Sequence, residues 1–230
     1  MDDMKRMLRR AAIARRKSVA VDERMGAGLR LARLARGLVD AIGDGGNRTA
    51  GSNAVVTVAA YVSMGSEIET RPLLDALLAA GCRVLVPRLG AGLDVGWGEL
   101  ESTGSLEDMD DGARRGDGTR RHHRPDEPTG VTLPPESLAD AALILVPALA
   151  VDRTGTRLGR GGGWYDRALI HRSPGCPVFA VCWDWEVRGH GDEPLPRETH
   201  DLPVNGALTP GGVIRFTACE TAARPCRADD

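Results

Sequence analysis

The residues best suited to chemistry lie in one decapeptide, Arg157-Leu158-Gly159-Arg160-Gly161-Gly162-Gly163-Trp164-Tyr165-Asp166. Glycines let backbone N–H groups approach an anion with no Cβ in the way, and a helix opening behind them adds roughly half a positive charge. Arg157 and Arg160 add two fixed charges whose planar forks suit phosphate or carboxylate oxygens. The apolar run Ala142 to Pro147 precedes the decapeptide, and Arg167 to Ile170 continues it at helical spacing. The predicted arrangement is a strand feeding a glycine turn that opens a helix, a cradle for a polyphosphate. It is neither of the common nucleotide fingerprints: a P-loop needs Gly-Lys-Ser/Thr, and a dinucleotide turn starting at Gly159 needs glycine where Trp164 stands.

Other elements must position this turn. Met4 to Val19 reads as a basic helix with Lys5 and Arg9 one turn apart on one face. Ser18 or Asp22 is the expected cap of a second helix running to about Ile42, with Leu31, Leu34, Ala35, Leu38 and Ile42 as its apolar stripe. Ala54 to Val62 reads as a strand buried on both faces and leads into Met64-Gly65-Ser66-Glu67-Ile68-Glu69-Thr70. A helix over 71–80 follows, with Thr70 as its expected N-cap, Pro72 in its first turn and Gly81 as its stop. Strands are predicted at Cys82 to Pro87, at Pro177 to Cys182 and, more weakly, at Asp94 to Glu99. Residues 107–135 mix acids, arginines, His122 and His123 with Gly and Pro, lack an apolar period, and read as a mobile loop. A flexible tail is expected over 218–230.

Four stretches together resemble the 5-formyltetrahydrofolate cyclo-ligase (methenyltetrahydrofolate synthetase) family: the Lys5/Arg9 pair, Met64 to Thr70, the decapeptide with Val146 to Gly155 before it, and Leu195-Pro196-Arg197-Glu198-Thr199-His200-Asp201-Leu202-Pro203-Val204 running on to Thr209. They span residues 5 to 209 in the family's order. The resemblance implies a single α/β domain over 1–230, three α/β/α layers around a mostly parallel sheet in the cyclo-ligase (NagB/RpiA-like) architecture. It implies a ligase that uses ATP and Mg2+ to convert 5-formyltetrahydrofolate to 5,10-methenyltetrahydrofolate. The formyl oxygen takes the γ-phosphoryl group, N10 closes the ring and phosphate leaves.

Residue by residue, the resemblance implies that Lys5, Arg9, Arg157, Leu158, Gly159, Arg160, Gly161, Gly162, Gly163, Trp164 and Tyr165 bind ATP, with Lys5, Arg157 and Arg160 catalytic. Met64 and Glu69, with Arg160 to Tyr165, would bind the folate, and Asp166 and Asp201 the magnesium. Trp164 and Tyr165 offer flat faces to the pterin or to the adenine. Relatives often carry a folate-packing aromatic within 107–135 that has no clear counterpart here, and Asn205 stands where many have an acid. A different small-molecule kinase and a non-catalytic binding module are the alternatives on this scaffold.

Composition agrees with a soluble cytoplasmic protein, and the chain is expected to act as a monomer on a small molecule. The 230 residues carry a net charge of −2 and 42% hydrophobic side chains, enough for one core and too little positive charge for nucleic acid. The longest apolar stretch, Ala141 to Val151, falls short of the ~20 residues that cross a bilayer. Five cysteines, odd in number and without a Cys-X-X-Cys pair, predict reduced thiols.

Overall fold

The computed structural model describes residues 2–45, 55–89, 94–109, 124–199 and 201–216. Two helices open the chain, α1 (Asp2–Lys17) and α2 (Val21–Gly45). The sheet strands are β1 (Thr57–Ala59), β2 (Arg83–Pro87) and β3 (Trp97–Leu100), with α3 (Arg71–Ala79) between the first two. A short pair β4 (Leu106–Glu107) and β5 (Glu127–Pro128) follows, then β6 (Leu143–Pro147), a hairpin of β7 (Ala150–Val151) and β8 (Arg157–Leu158), and α4 (Trp164–Leu169). The chain closes on β9 (Val178–Val181), β10 (Gly206–Thr209) and β11 (Gly212–Arg215).

The main sheet has seven strands in the order β11-β10-β9-β6-β1-β2-β3. Its five inner strands are parallel, and an antiparallel strand closes each edge. Successive residues of a strand face opposite sides, so Val58, Val84, Val86, Leu143 and Leu145 pack under α2 and α3, whereas Ala59, Leu85, Ile144 and Val146 pack toward α4 and the 3-10 turn Pro135–Asp140. These are the three layers that the resemblance implies. The chain runs outward from β1 to β3 and resumes on the other side of β1 with β6. The order therefore reverses between β1 and β6, and a crevice opens beyond the carboxyl ends of those two strands.

Several local expectations are refined. The predicted strand over 54–62 pairs only from Thr57 to Ala59, because the chain then leaves the sheet for the Met64 segment. Ser18 caps nothing: its hydroxyl donates to Arg15 O at the end of α1, while Asp22 lies inside the first turn of α2. Thr70 sits at the N-cap position of α3 without a side-chain cap; its hydroxyl donates to Tyr61 O at 2.9 Å, and the Glu69 carboxylate accepts the Arg71 N–H instead. The β6 strand does not feed the glycine turn directly, since the β7/β8 hairpin intervenes. Asp152, 4% exposed, folds that hairpin by accepting from the N–H groups of Thr154, Thr156 and Leu195. Within the predicted loop, Glu127–Pro128 pairs with Leu106–Glu107, so 124–135 is built onto the fold. Residues 110–123, with His122 and His123, lie outside the described residues, as do His200 and the predicted tail.

Among the described residues Cys82, Cys176 and Cys182 are free and buried. Asn205 is structural: its side-chain carbonyl accepts Val178 N–H at 2.8 Å and its own N–H donates to Val178 O at 2.7 Å, strapping β9 to the start of β10. Trp183 and Trp185 stack at 4.5 Å between ring centroids, with the Arg15 guanidinium over the second ring.

Candidate active site

A cleft of about 620 Å³ lies at this reversal of strand order, within the size range of small-ligand sites. Its floor comes from the strand ends: Tyr61 and Val62 beyond β1, Pro147 to Leu149 beyond β6, and Pro87 and Leu89 beyond β2. The decapeptide from Arg157 to Asp166 forms one wall. Gly163 has the left-handed backbone (φ 62°) from which α4 starts, a conformation that a side chain would strain. Gly161 is also left-handed (φ 102°), and the Arg9 guanidinium lies against its Cα, where a Cβ would come within 3.2 Å of Arg9 Cζ.

Helix α1 covers this wall. Leu8, Ala12 and Ile13 pack on Leu149, Leu158 and Leu195, and three cations on the same helix reach inward. Lys5, 7% exposed, donates to Asp201 Oδ2 at 2.9 Å and Glu198 Oε1 at 3.1 Å. Burial alone would lower the Lys5 pKa, but these hydrogen bonds, Asp201 first, outweigh it and hold the ammonium above its ordinary value. Arg9 Nε donates to Gly159 O at 2.9 Å. Arg16, 3% exposed, makes a bidentate pair with Glu186, Nε to Oε1 at 2.7 Å and Nη2 to Oε2 at 2.6 Å.

The glycine wall is joined to the Met64 segment by Arg160. Its Nε donates to Glu67 Oε1 at 2.9 Å and its Nη2 to Met64 O at 3.2 Å, while Glu67 Oε2 accepts the Met64 N–H at 2.9 Å. Arg157 Nη2 donates to Asp166 Oδ1 at 2.6 Å, leaving Arg157 Nε buried without a partner. Burial, and then the Glu67 charge, push the phenols of both Tyr61 and Tyr165 above their ordinary pKa, so both are neutral hydroxyls at working pH. Trp164 donates its indole N–H to Asp94 O and packs edge-on against Trp97 and Tyr165.

Of the residues singled out in the sequence, Lys5, Arg9, Met64, the whole decapeptide and Asp201 line this cleft. Glu69 does not: its carboxylate turns to Ser63 and the start of α3, and the acid that this segment places in the cleft is Glu67. Tyr61, Arg16, Arg124 and Glu198 are further lining residues that the sequence reading did not single out. For Arg16 a signal existed, since Lys5, Arg9 and Arg16 at spacings of four and seven share one helix face.

Among the described residues no three His, Cys, Asp or Glu gather to hold a metal unaided. Asp166 and Asp201 do line the same cleft. Both are hard oxygen donors of the kind magnesium takes with phosphate oxygens and water, so this pair fits that ion in the company of a phosphate.

The 5-formyltetrahydrofolate cyclo-ligase family model matches residues 2–210. The chain belongs to this family. It is 43% identical over 159 residues to the 5-formyltetrahydrofolate cyclo-ligase of Mycolicibacterium smegmatis, covering 67% of this chain and 73% of that one. The Escherichia coli K12 cyclo-ligase is 31% identical over 160 residues, covering 68% and 79%. The fold is similar to the solved 5,10-methenyltetrahydrofolate synthetases of Aquifex aeolicus, with a TM-score of 0.62, 24% identity and 99% and 96% of the two chains covered, and of Mycoplasma pneumoniae, with 0.58, 15%, and 89% and 97%. The chain is thus an enzyme of the cyclo-ligase class, in folate metabolism. No helix among the described residues is long and apolar enough to cross a membrane.

Proposed function

We propose that the cleft binds 5-formyltetrahydrofolate beside ATP and that the chain joins N10 to the formyl carbon at the expense of the γ-phosphate. The observation that carries this reading is that one cleft holds both a glycine turn flanked by cations and, linked to it through Arg160, the acid-bearing Met64 segment. The formyl oxygen is a poor leaving group as hydroxide and a good one as phosphate. Once it has taken the γ-phosphoryl group and ADP has formed, N10 closes on the formyl carbon and inorganic phosphate departs. The protein's task is alignment and charge neutralisation, as in other phosphoryl transfers.

In this reading Lys5, Arg9, Arg157 and the backbone of Gly159 to Gly163 hold the triphosphate, and Arg160 spans the junction between phosphate and folate. A magnesium ion held by Asp166 and Asp201 would neutralise phosphate charge there. Glu67 suits the donor edge of a pterin, while Met64, Tyr61, Trp164 and Tyr165 supply apolar surface around the rings.

The test is to mix the purified chain with 5-formyltetrahydrofolate and magnesium ATP, following the near-ultraviolet absorbance of the methenyl product together with ADP. Equal amounts of both are expected. Asp166→Ala should lower the rate by on the order of a hundredfold to a thousandfold while the protein stays folded by circular dichroism. ADP without the methenyl band would transfer the reading to a kinase with another acceptor.

A further inference from the structure

The cations of the cleft do not all gather at one end. Lys5, Arg9 and Arg157 gather at the glycine wall, bonded to Asp201, Gly159 O and Asp166, but Arg124 donates to Leu89 O beyond β2. The order β6-β1-β2 puts two strand spacings, ~10 Å, between the ends of β6 and β2. Among the described residues Arg124 is bonded through Nη2 alone. Its Nη2 donates to Glu127 Oε1 at 2.7 Å and also to Leu89 O. Glu127 is 3% exposed and is itself held by the Leu89 N–H at 3.1 Å. Arg124 Nε is buried without a hydrogen-bond partner. A third of the side chain is exposed, at 33%. A buried carboxylate thus holds a guanidinium at the cleft rim, and Pro87, Leu89 and Pro125 line the approach to it.

We infer that Arg124, positioned by Glu127, receives a carboxylate of the glutamyl tail of the folate. The inference rests on the cyclo-ligase reading above. If the formyl group lies against the triphosphate at the β6 end, the arm that leaves N10 runs the other way, toward β2. That arm is a benzoyl ring followed by a glutamate, and the cleft offers apolar surface followed by a planar cation in the same order. With Nη2 committed to Glu127 and Leu89 and Nε buried, Nη1 is the nitrogen left to donate a charge-assisted hydrogen bond to that carboxylate. Because Glu127 and Leu89 O already hold Nη2, little side-chain freedom is lost when the ligand arrives.

Initial rates at saturating magnesium ATP, with 5-formyltetrahydrofolate and with 5-formyltetrahydropteroate, which keeps the pterin and benzoyl groups but lacks the glutamate, test this. The wild type should show a KM for the folate lower by on the order of tenfold to a hundredfold, the range of a charge-assisted contact, at a similar kcat. Arg124→Met should erase the difference by raising the folate KM alone, and Arg124→Lys should fall between. Equal KM values for the two substrates in the wild type overturn the inference even if the variants fail to fold. So does an Arg124→Met protein whose two KM values rise together. If the wild type converts neither substrate, the cyclo-ligase reading fails first and the inference falls with it.

Discussion

Glu67 and Glu69 stand two residues apart in the same short motif and do different work. Glu67 ties Met64 to Arg160 inside the cleft, and Glu69 receives the first N–H of α3. Glu67→Gln is expected to raise the KM for 5-formyltetrahydrofolate by on the order of tenfold or more, since a charged partner is replaced by a neutral one, with a smaller change for ATP. Glu69→Gln should leave both KM values within about twofold and lower stability by ~1 kcal/mol in urea denaturation, as loss of a helix cap does. Lys5 gives a prediction in pH. A lysine whose pKa is raised by folding contributes stability that is complete below its ordinary value of 10.5 and is lost as pH climbs through the higher folded value. The KM for ATP should therefore stay level from neutrality to about pH 10, and a rise near pH 8 would contradict the charge state assigned to Lys5. The choice between the two glutamates was not legible in the sequence. Either acid of Glu-Ile-Glu could face a ligand until the burial of Ile68 and the bond from Thr70 to Tyr61 fix the turn of the backbone.

Helix α1 is the element on which the ATP end of the cleft depends, and its inner end is fastened by the Arg16–Glu186 pair, residues 170 apart in the chain. Truncating one partner leaves a charge buried and alone, so Arg16→Met is expected to cost about 3–5 kcal/mol, measurable by denaturant unfolding. The lost clamp should also raise the KM for ATP through displacement of Lys5 and Arg9, with less effect on the folate. Elements of this kind were partly readable. Pro72 and Gly81 bracket α3, and β-branched runs mark β1, β2, β6 and β9, because those signals are local. The β7/β8 hairpin was missed because its strands have two residues each and its turn is made by the side chain of Asp152. Nothing near Arg16 in the chain names Glu186 as its partner.

At the scale of the whole molecule, the reversal of strand order between β1 and β6 gathers segments that the sequence keeps far apart. Lys5 at one end of the chain meets Asp201 near the other, and Arg160 meets Glu67 across 93 residues. The individual motifs were legible because each is contiguous, and the layered architecture followed from alternating strands and helices with the family resemblance. The pairing of charges between motifs was not legible, since it depends on which loops the sheet brings over the same crevice. That pairing has a consequence for binding. Lys5, Arg157 and Arg160 already face Asp201, Asp166 and Glu67 across hydrogen bonds, so an arriving triphosphate replaces carboxylates tethered to the chain, and few mobile counterions return to solution. Dissolved salt then competes for contacts that are already occupied. The KM for ATP should vary by no more than about threefold between roughly 50 and 300 mM potassium chloride, a shallower slope than open cations would give under the same screening.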